Sequence, residues 1–250
     1  MTRPFRLRCA GVAWRTHARY SSRMRFVLAV AAWALVSSFP QGKLFRMERE
    51  DSDLVALRAE GRLKAPAWAV REALVHAFEN DRISPYLAER KVLHAEGCRG
   101  GGKDLPDCRR IWAYERYEPP LMSARDYSFR MEVVGDDADK GGAFELRWTL
   151  DESHGAPPEG AVHMVRNTGA WEISPAGPEE SQFTYRIDAD PGGSVASWIV
   201  NMANKSQVPA VIAAVEEDAR KRALARPRGA APVTPGSPGL PGKPQSVSQE

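Results

Sequence analysis

The chain has 250 residues, 43% of them apolar and 27% charged, with a formal charge of +3. That length holds one large domain or two small ones, and the balance excludes both a polytopic membrane protein and a wholly disordered chain. The positive charge sits at the ends: residues 1–25 carry seven Arg and no acid, and residues 226–250 carry a net +2, which leaves −6 for residues 26–225. A mildly acidic middle argues against a nucleic-acid-binding surface.

Arg23 and Arg25 precede an apolar run, Phe26 to Val36, that Ser37, Ser38, Phe39 and Pro40 end. A basic start, a short apolar stretch and small residues make a signal-peptide pattern, and the run is too short to span a bilayer. Met24 is a second candidate start. The expectation is a leader over residues 1–42 and a bacterial-type exported chain, periplasmic or extracellular. Cleavage falls after Ala34 or Ser38, or the leader stays as an uncleaved anchor; a buried N-terminal helix is the alternative. At the other end, residues 226–250 contain six Pro and four Gly without a triplet repeat, so this segment reads as an unfolded tail.

Between them, residues 43–225 read as one domain. Leu54–Leu63 alternates as a strand. Pro66 to Asn80 reads as a helix, with Pro66 suited to a first turn and Val70, Leu74, Ala77 and Phe78 on one stripe. A helical turn around Ile83–Leu87 follows, then a strand at Lys91–Glu96. Cys98 and Cys108 flank a Gly-rich loop, Gly100–Gly102. A disulfide here closes a short loop between adjacent strand ends, which fits an oxidising compartment; two free thiols are the alternative. His94 adds a third potential zinc ligand, but no fourth is spaced for it, so no metal is expected. Gly97, Gly102 and Lys103 have phosphate-loop spacing, yet Asp104 stands where Ser or Thr is needed, and the segment reads as a hairpin turn.

A series of strands follows. Arg109–Glu118 contains Ile111, Trp112, Tyr114 and Tyr117. Arg125–Val134 sets Tyr127, Phe129, Met131 and Val133 against Asp126, Ser128, Arg130 and Glu132. Phe144–Leu150, Ala161–Ile173 and Gln182–Ala189 continue the pattern. Period two in consecutive strands, joined by Pro- and Gly-rich turns, means an antiparallel sheet with one covered face. After Asp190–Pro191–Gly192–Gly193, a helix from about Val195 to Ala225 carries one stripe of Val195, Trp198, Ile199 and Met202, and another of Val211, Ile212, Val215 and Ala219. Pro209 between them is expected to kink or split it. The fold class is therefore α+β.

Three stretches resemble the START domain, the lipid-transfer module related to steroidogenic acute regulatory protein, within the helix-grip superfamily. The first is Pro119–Pro120 followed by Ser123–Ala124–Arg125–Asp126–Tyr127. The second is Gly169–Ala170–Trp171–Glu172–Ile173. The third is Asp188–Ala189–Asp190–Pro191–Gly192–Gly193 with Ser197–Trp198–Ile199–Val200–Asn201. The resemblance covers about Leu44 to Leu224. It implies a curved antiparallel sheet wrapped around a long C-terminal helix, and a tunnel holding one lipid or sterol-like ligand with that helix as lid. It implies transient contact with a membrane surface and no cofactor.

Candidate lining residues on the sheet are Phe129, Met131, Trp148, Trp171 and Tyr185. Arg125 and His163 are the polar candidates, and Trp198 and Met202 the helix side. Relatives place a basic–acidic pair in the tunnel. Here Arg125 and Asp126 are adjacent on a strand and point to opposite faces, so Arg125 is either the tunnel residue or a brace for the C-terminal helix.

No metal spacing links His17, His76, His94, His154 and His163, and no nucleophile motif occurs. The reading is of a binding protein rather than an enzyme. The alternative is a cyclase- or hydrolase-like enzyme on the same scaffold, with His163 and Glu115 as an acid–base pair.

Overall fold

Period-two patterning becomes one sheet of ten strands. The computed structural model describes residues 33–48, 53–76, 86–98, 108–120, 122–135, 142–194 and 197–225, excluding the side chains of 197–200 and 202–204. The leader up to residue 32, the turn at 83–85, the Gly-rich loop at 99–107 and the Pro-rich tail lie outside the described residues, as do Ala77 and Phe78.

In chain order the elements are β1 (Ala34–Phe39), β2 (Gly42–Met47), β3 (Ala56–Leu63), α1 (Ala67–Val75), β4 (Leu87–Glu96), β5 (Arg110–Tyr117) and β6 (Arg125–Val134). Then come β7 (Phe144–Leu150), β8 (Val162–His163), β9 (Arg166–Gly177), β10 (Glu180–Asp190) and α2 (Ser197–Ala225). The strand order is β1-β2-β3-β10-β9-β7-β6-β5-β4. All these pairings are antiparallel, while β8 pairs parallel with β6, Val162 opposite Arg125 and His163 opposite Asp126.

The register sorts the side chains onto two faces. Ile111, Met131, Trp148 and Gly169 lie in one cross-strand row, and Val133, Leu146, Trp171, Tyr185, Ala59 and Leu44 in another. These belong to the inner face, whose core is shared with Val70 and Leu74 of α1 and with Val208, Ile212, Val215 and Ala219 of α2. Phe183 and Ile212 are fully enclosed; burying a side chain of this size contributes about 1.5–3 kcal/mol. The outer face alternates charges across strands. Glu132 accepts from Arg110 at 3.2 Å and from Arg147 at 3.1 Å, and Arg186 pairs with Glu172.

Four features differ from the sequence reading. The sheet starts at Ala34, because the segment read as the end of the leader pairs as β1 with β2. Strand β4 starts at Leu87, not Lys91; register shifts between Leu87 and Glu89 and between Val92 and His94 break its alternation and hide it. The expected strand Ala161–Ile173 is two, β8 and β9, because the first part pairs with β6 and the second with β7 and β10. Finally, α2 is continuous through Pro209. Proline removes one helical hydrogen bond, and the buried stripe of Val208, Ile212, Val215 and Ala219 holds the helix across the gap.

Two motifs acquire a structural cause. A Cβ on Gly169 would stand 2.2 Å from Trp148 Cζ2 and 2.4 Å from the Arg186 carbonyl oxygen, so the indole lies directly on the glycine backbone. Trp148 Nε1 also donates to Asn167 Oδ1 at 3.0 Å. Gly192 and Gly193 both have left-handed φ, 67° and 69°, in the turn from β10 to α2. Asp190 Oδ1 accepts from the Gly192 amide at 3.0 Å, and Asn201 fastens the first turns of α2 by donating to the Asp53 carbonyl at 3.2 Å and accepting from the Val55 amide at 3.3 Å.

Cys98 and Cys108 form a disulfide that joins the end of β4 to the start of β5. Closing so short a loop restricts the unfolded chain by ~3 kcal/mol. Reduction should lower the unfolding free energy by about 2–4 kcal/mol, read from denaturant midpoints with and without reductant. Gly169→Ala should destabilise by about 1–3 kcal/mol and shift near-ultraviolet circular dichroism, since the methyl group must displace the Trp148 ring.

Candidate functional site

The inner face of β5 and β6 carries one polar cluster in an apolar wall. Along β5 the inward positions are Ile111, Ala113, Glu115 and Tyr117, so a carboxylate occupies a core position. Glu115 is 4% exposed. Its Oε1 accepts from Arg90 Nε at 2.6 Å, and its Oε2 accepts from the Tyr127 hydroxyl at 2.6 Å and the Tyr117 hydroxyl at 2.9 Å. A buried carboxylate is tolerable only with such neutralisation and hydrogen bonding. The rings of Tyr117 and Tyr127 stack at 6.0 Å, and Phe129 follows Tyr127 at 5.3 Å.

Beyond this cluster the wall is aromatic. Trp171 packs on Tyr185 at 4.6 Å and Phe183 at 6.1 Å, and Trp148 stacks on Tyr185 at 5.9 Å. Burial raises the Tyr185 phenol well above its ordinary value. Tyr127 is raised well above its ordinary value by burial first and then by the Glu115 charge. Tyr114, on the outer face, is raised by burial and by Asp126.

The residues singled out from the sequence divide accordingly. Phe129, Met131, Trp148, Trp171 and Tyr185 share the inner face. Arg125 lies at the end of that face and acts as a brace: it donates to the Ser123 carbonyl through Nη1 and to the Gly192 carbonyl at 3.4 Å through Nη2. His163 is on the outer face, with Nδ1 2.6 Å from Asp126 Oδ1, while Tyr114 donates to Asp126 Oδ2 at 3.3 Å. The His163–Glu115 acid–base pair of the alternative reading is therefore excluded, because the sheet stands between the two side chains. The side chains of Trp198 and Met202 lie outside the described residues.

Arg90 and Glu115 make a buried basic–acidic pair on the inner face, while Arg125 and Asp126 point to opposite faces as their adjacency on the strand requires. Glu115 is recognisable as a charge at an inward position of an alternating strand. Arg90 is not, because it sits between the two register shifts of β4.

A cavity of about 410 Å³ lies on the outer face, where Arg130, Arg147, Arg186, Glu132, Glu145 and Asp188 contribute to its walls. Trp33, Met47 and Ala56 line it as well, so charges of both signs border a partly apolar surface.

A curved antiparallel sheet closed by a long C-terminal helix is the START, or helix-grip, fold, and this chain has it. Human STARD10 superposes with a TM-score of 0.63 at 15% identity, over 77% of this chain and 74% of that one. A STAR-related lipid transfer protein of Xanthomonas axonopodis gives 0.59 at 25% identity, over 75% and 98%. The lipid transfer and protein localization domain of human StarD13 gives 0.58 at 16% identity, over 75% and 88%. An uncharacterized protein of Pseudomonas aeruginosa is 24% identical over 170 residues, 68% of this chain and 77% of that protein. No protein-family model matches the chain. Lipid transfer appears in the names of the Xanthomonas axonopodis and StarD13 neighbours.

The raised phenols fix the alkaline behaviour. Folded Tyr114, Tyr127 and Tyr185 stay protonated above pH 10, where unfolded tyrosines ionise. The unfolded state then binds fewer protons, so stability is intact below about pH 10 and falls as pH rises beyond it. Absorbance at 295 nm should show Tyr127 and Tyr185, two of the six tyrosines, ionising only with loss of the fold, and Tyr114 ionising above the ordinary tyrosine range.

Proposed function

We propose that the protein binds one lipid or sterol-like molecule between the inner face of the sheet and α2, and exchanges it when α2 moves. The observation that carries this reading is the polar cluster of Glu115, Arg90, Tyr117 and Tyr127 set in an aromatic and aliphatic wall. Apolar surface supplies affinity at about 25 cal/mol per Å², and a few convergent polar groups orient the ligand. In this reading the tyrosine hydroxyls exchange a bond to Glu115 for one to the ligand's polar end. Movement of α2 pivots at Gly192–Gly193 and breaks the two Asn201 bonds to the chain before β3.

The reading further assigns transient contact with a membrane surface, where the ligand is collected and released. It assigns an exported location, supported by the Cys98–Cys108 disulfide and the basic–apolar start of the chain. Cleavage after Ser38 would cut through β1, so processing at or before Ala34 is the compatible form.

Native mass spectrometry of the protein purified gently from its own host should show one bound lipid, and a fluorescent sterol or phospholipid should displace it. Tyr127→Phe should keep the fold and weaken uptake by about 5–10-fold, the worth of one hydrogen bond. Absence of both a co-purifying lipid and any uptake would sink the proposal.

A further inference from the structure

We propose that His94, Glu96 and His154 form a binding site for a divalent transition-metal ion of the zinc, nickel and copper group. His94 and Glu96 are two apart on β4 and present the same outer face. His154 comes from the segment between β7 and β8, which leaves β7 beside Ser128, crosses the outer face of β5 and returns beside Arg125. One ligand atom from each of the three residues lies within 4.8 Å of the others. A tetrahedral ion with bonds of about 2.0–2.2 Å needs ligand atoms roughly 3.3 Å apart and lies in the plane of each imidazole that binds it, so exposed His154 must turn out of its stack on His94 to close the set.

The three groups are held near one another. The imidazoles of His94 and His154 stack with centroids 4.1 Å apart, and Trp112 packs against them at 5.4 Å and 4.4 Å. Asp151 Oδ1 accepts from the Ser153 amide at 3.0 Å and from its hydroxyl, which fixes the turn just before His154. Gly155 packs over Leu93, which a Cβ would meet at ordinary contact distance, 3.4 Å. Arg110 lies 3.7 Å from Glu96 Oε2, leaving Oε1, 3.5 Å from His94 Nε2, for the ion. The nearby sulfurs are consumed in the Cys98–Cys108 disulfide, so they do not compete. Two imidazoles and one carboxylate favour zinc, nickel or copper over magnesium or calcium, and three protein ligands leave a position for water. A bound ion would tie the β7–β8 segment to β4.

The test uses the untagged full chain, stripped with a chelator and titrated with Ni²⁺ and with Zn²⁺ by calorimetry and tryptophan fluorescence. One equivalent of each should bind, and Ni²⁺ should quench part of the emission because Trp112 touches both imidazoles. His154→Ala and His94→Ala should each weaken binding by at least ~10-fold. His76→Ala, on the histidine that follows α1 and pairs with Glu72, should leave it unchanged. Trp112→Phe should keep binding and lose the quench, and Mg²⁺ should do neither. Circular dichroism confirms that the exposed His154→Ala variant is folded. Failure of the unaltered chain to bind one equivalent, or equal binding by folded His154→Ala, overturns the proposal.

Discussion

The central strands of this sheet turn mostly apolar side chains to one face and charges to the other, and the apolar face must be covered. Two helices do this, α1 through Val70 and Leu74, and α2 through Val208, Ile212, Val215 and Ala219. Everything else follows from that one-sided burial. It fixes the register, since a slip of one residue would turn Glu132 and Arg147 inward and Met131 and Trp148 outward. It also makes any charge on the covered face conspicuous, and Glu115 is such a charge.

The buried carboxylate persists because three donors converge on it, one of them cationic. Such a cluster has two effects in a lined interior. It sets a polar point in an apolar wall, and its dense hydrogen bonding discourages alternative packings. Arg125 works differently. Although its strand position faces inward, the guanidinium reaches the Gly192 carbonyl and so ties the end of the sheet to the turn that launches α2. Asn201 makes a second tie one turn into the helix. The Asp-Pro-Gly-Gly turn and the Asn of the following helix thus have one purpose, setting where α2 lies over the sheet.

The outer face is not uniformly solvated. The β7–β8 segment folds over β5 and β6 and buries Trp112, Tyr114 and Asp126 there. It therefore carries two distinct arrangements: a His163–Asp126–Tyr114 chain beside the Gly-Gly turn, and a His94–His154 stack near the disulfide. Both are built by a loop that looked like a mere connection in the sequence.

Strands β6 and β7 were readable to the residue, because strict alternation over seven to ten positions has no other stable reading. The aromatic wall followed from the same alternation. Where bulges intervene, as in β4, the pattern is lost, and Arg90 was lost with it. Likewise β1 was hidden because an apolar stretch after basic residues serves equally as a leader or as a strand. Local pattern determined the α+β class, the covered face and the cystine, since each depends on neighbours in the chain. Which carboxylate meets which arginine, which face His163 occupies and which histidines stack depend on residues 25 to 60 positions apart, and only the closed sheet with its crossing loop brings those together.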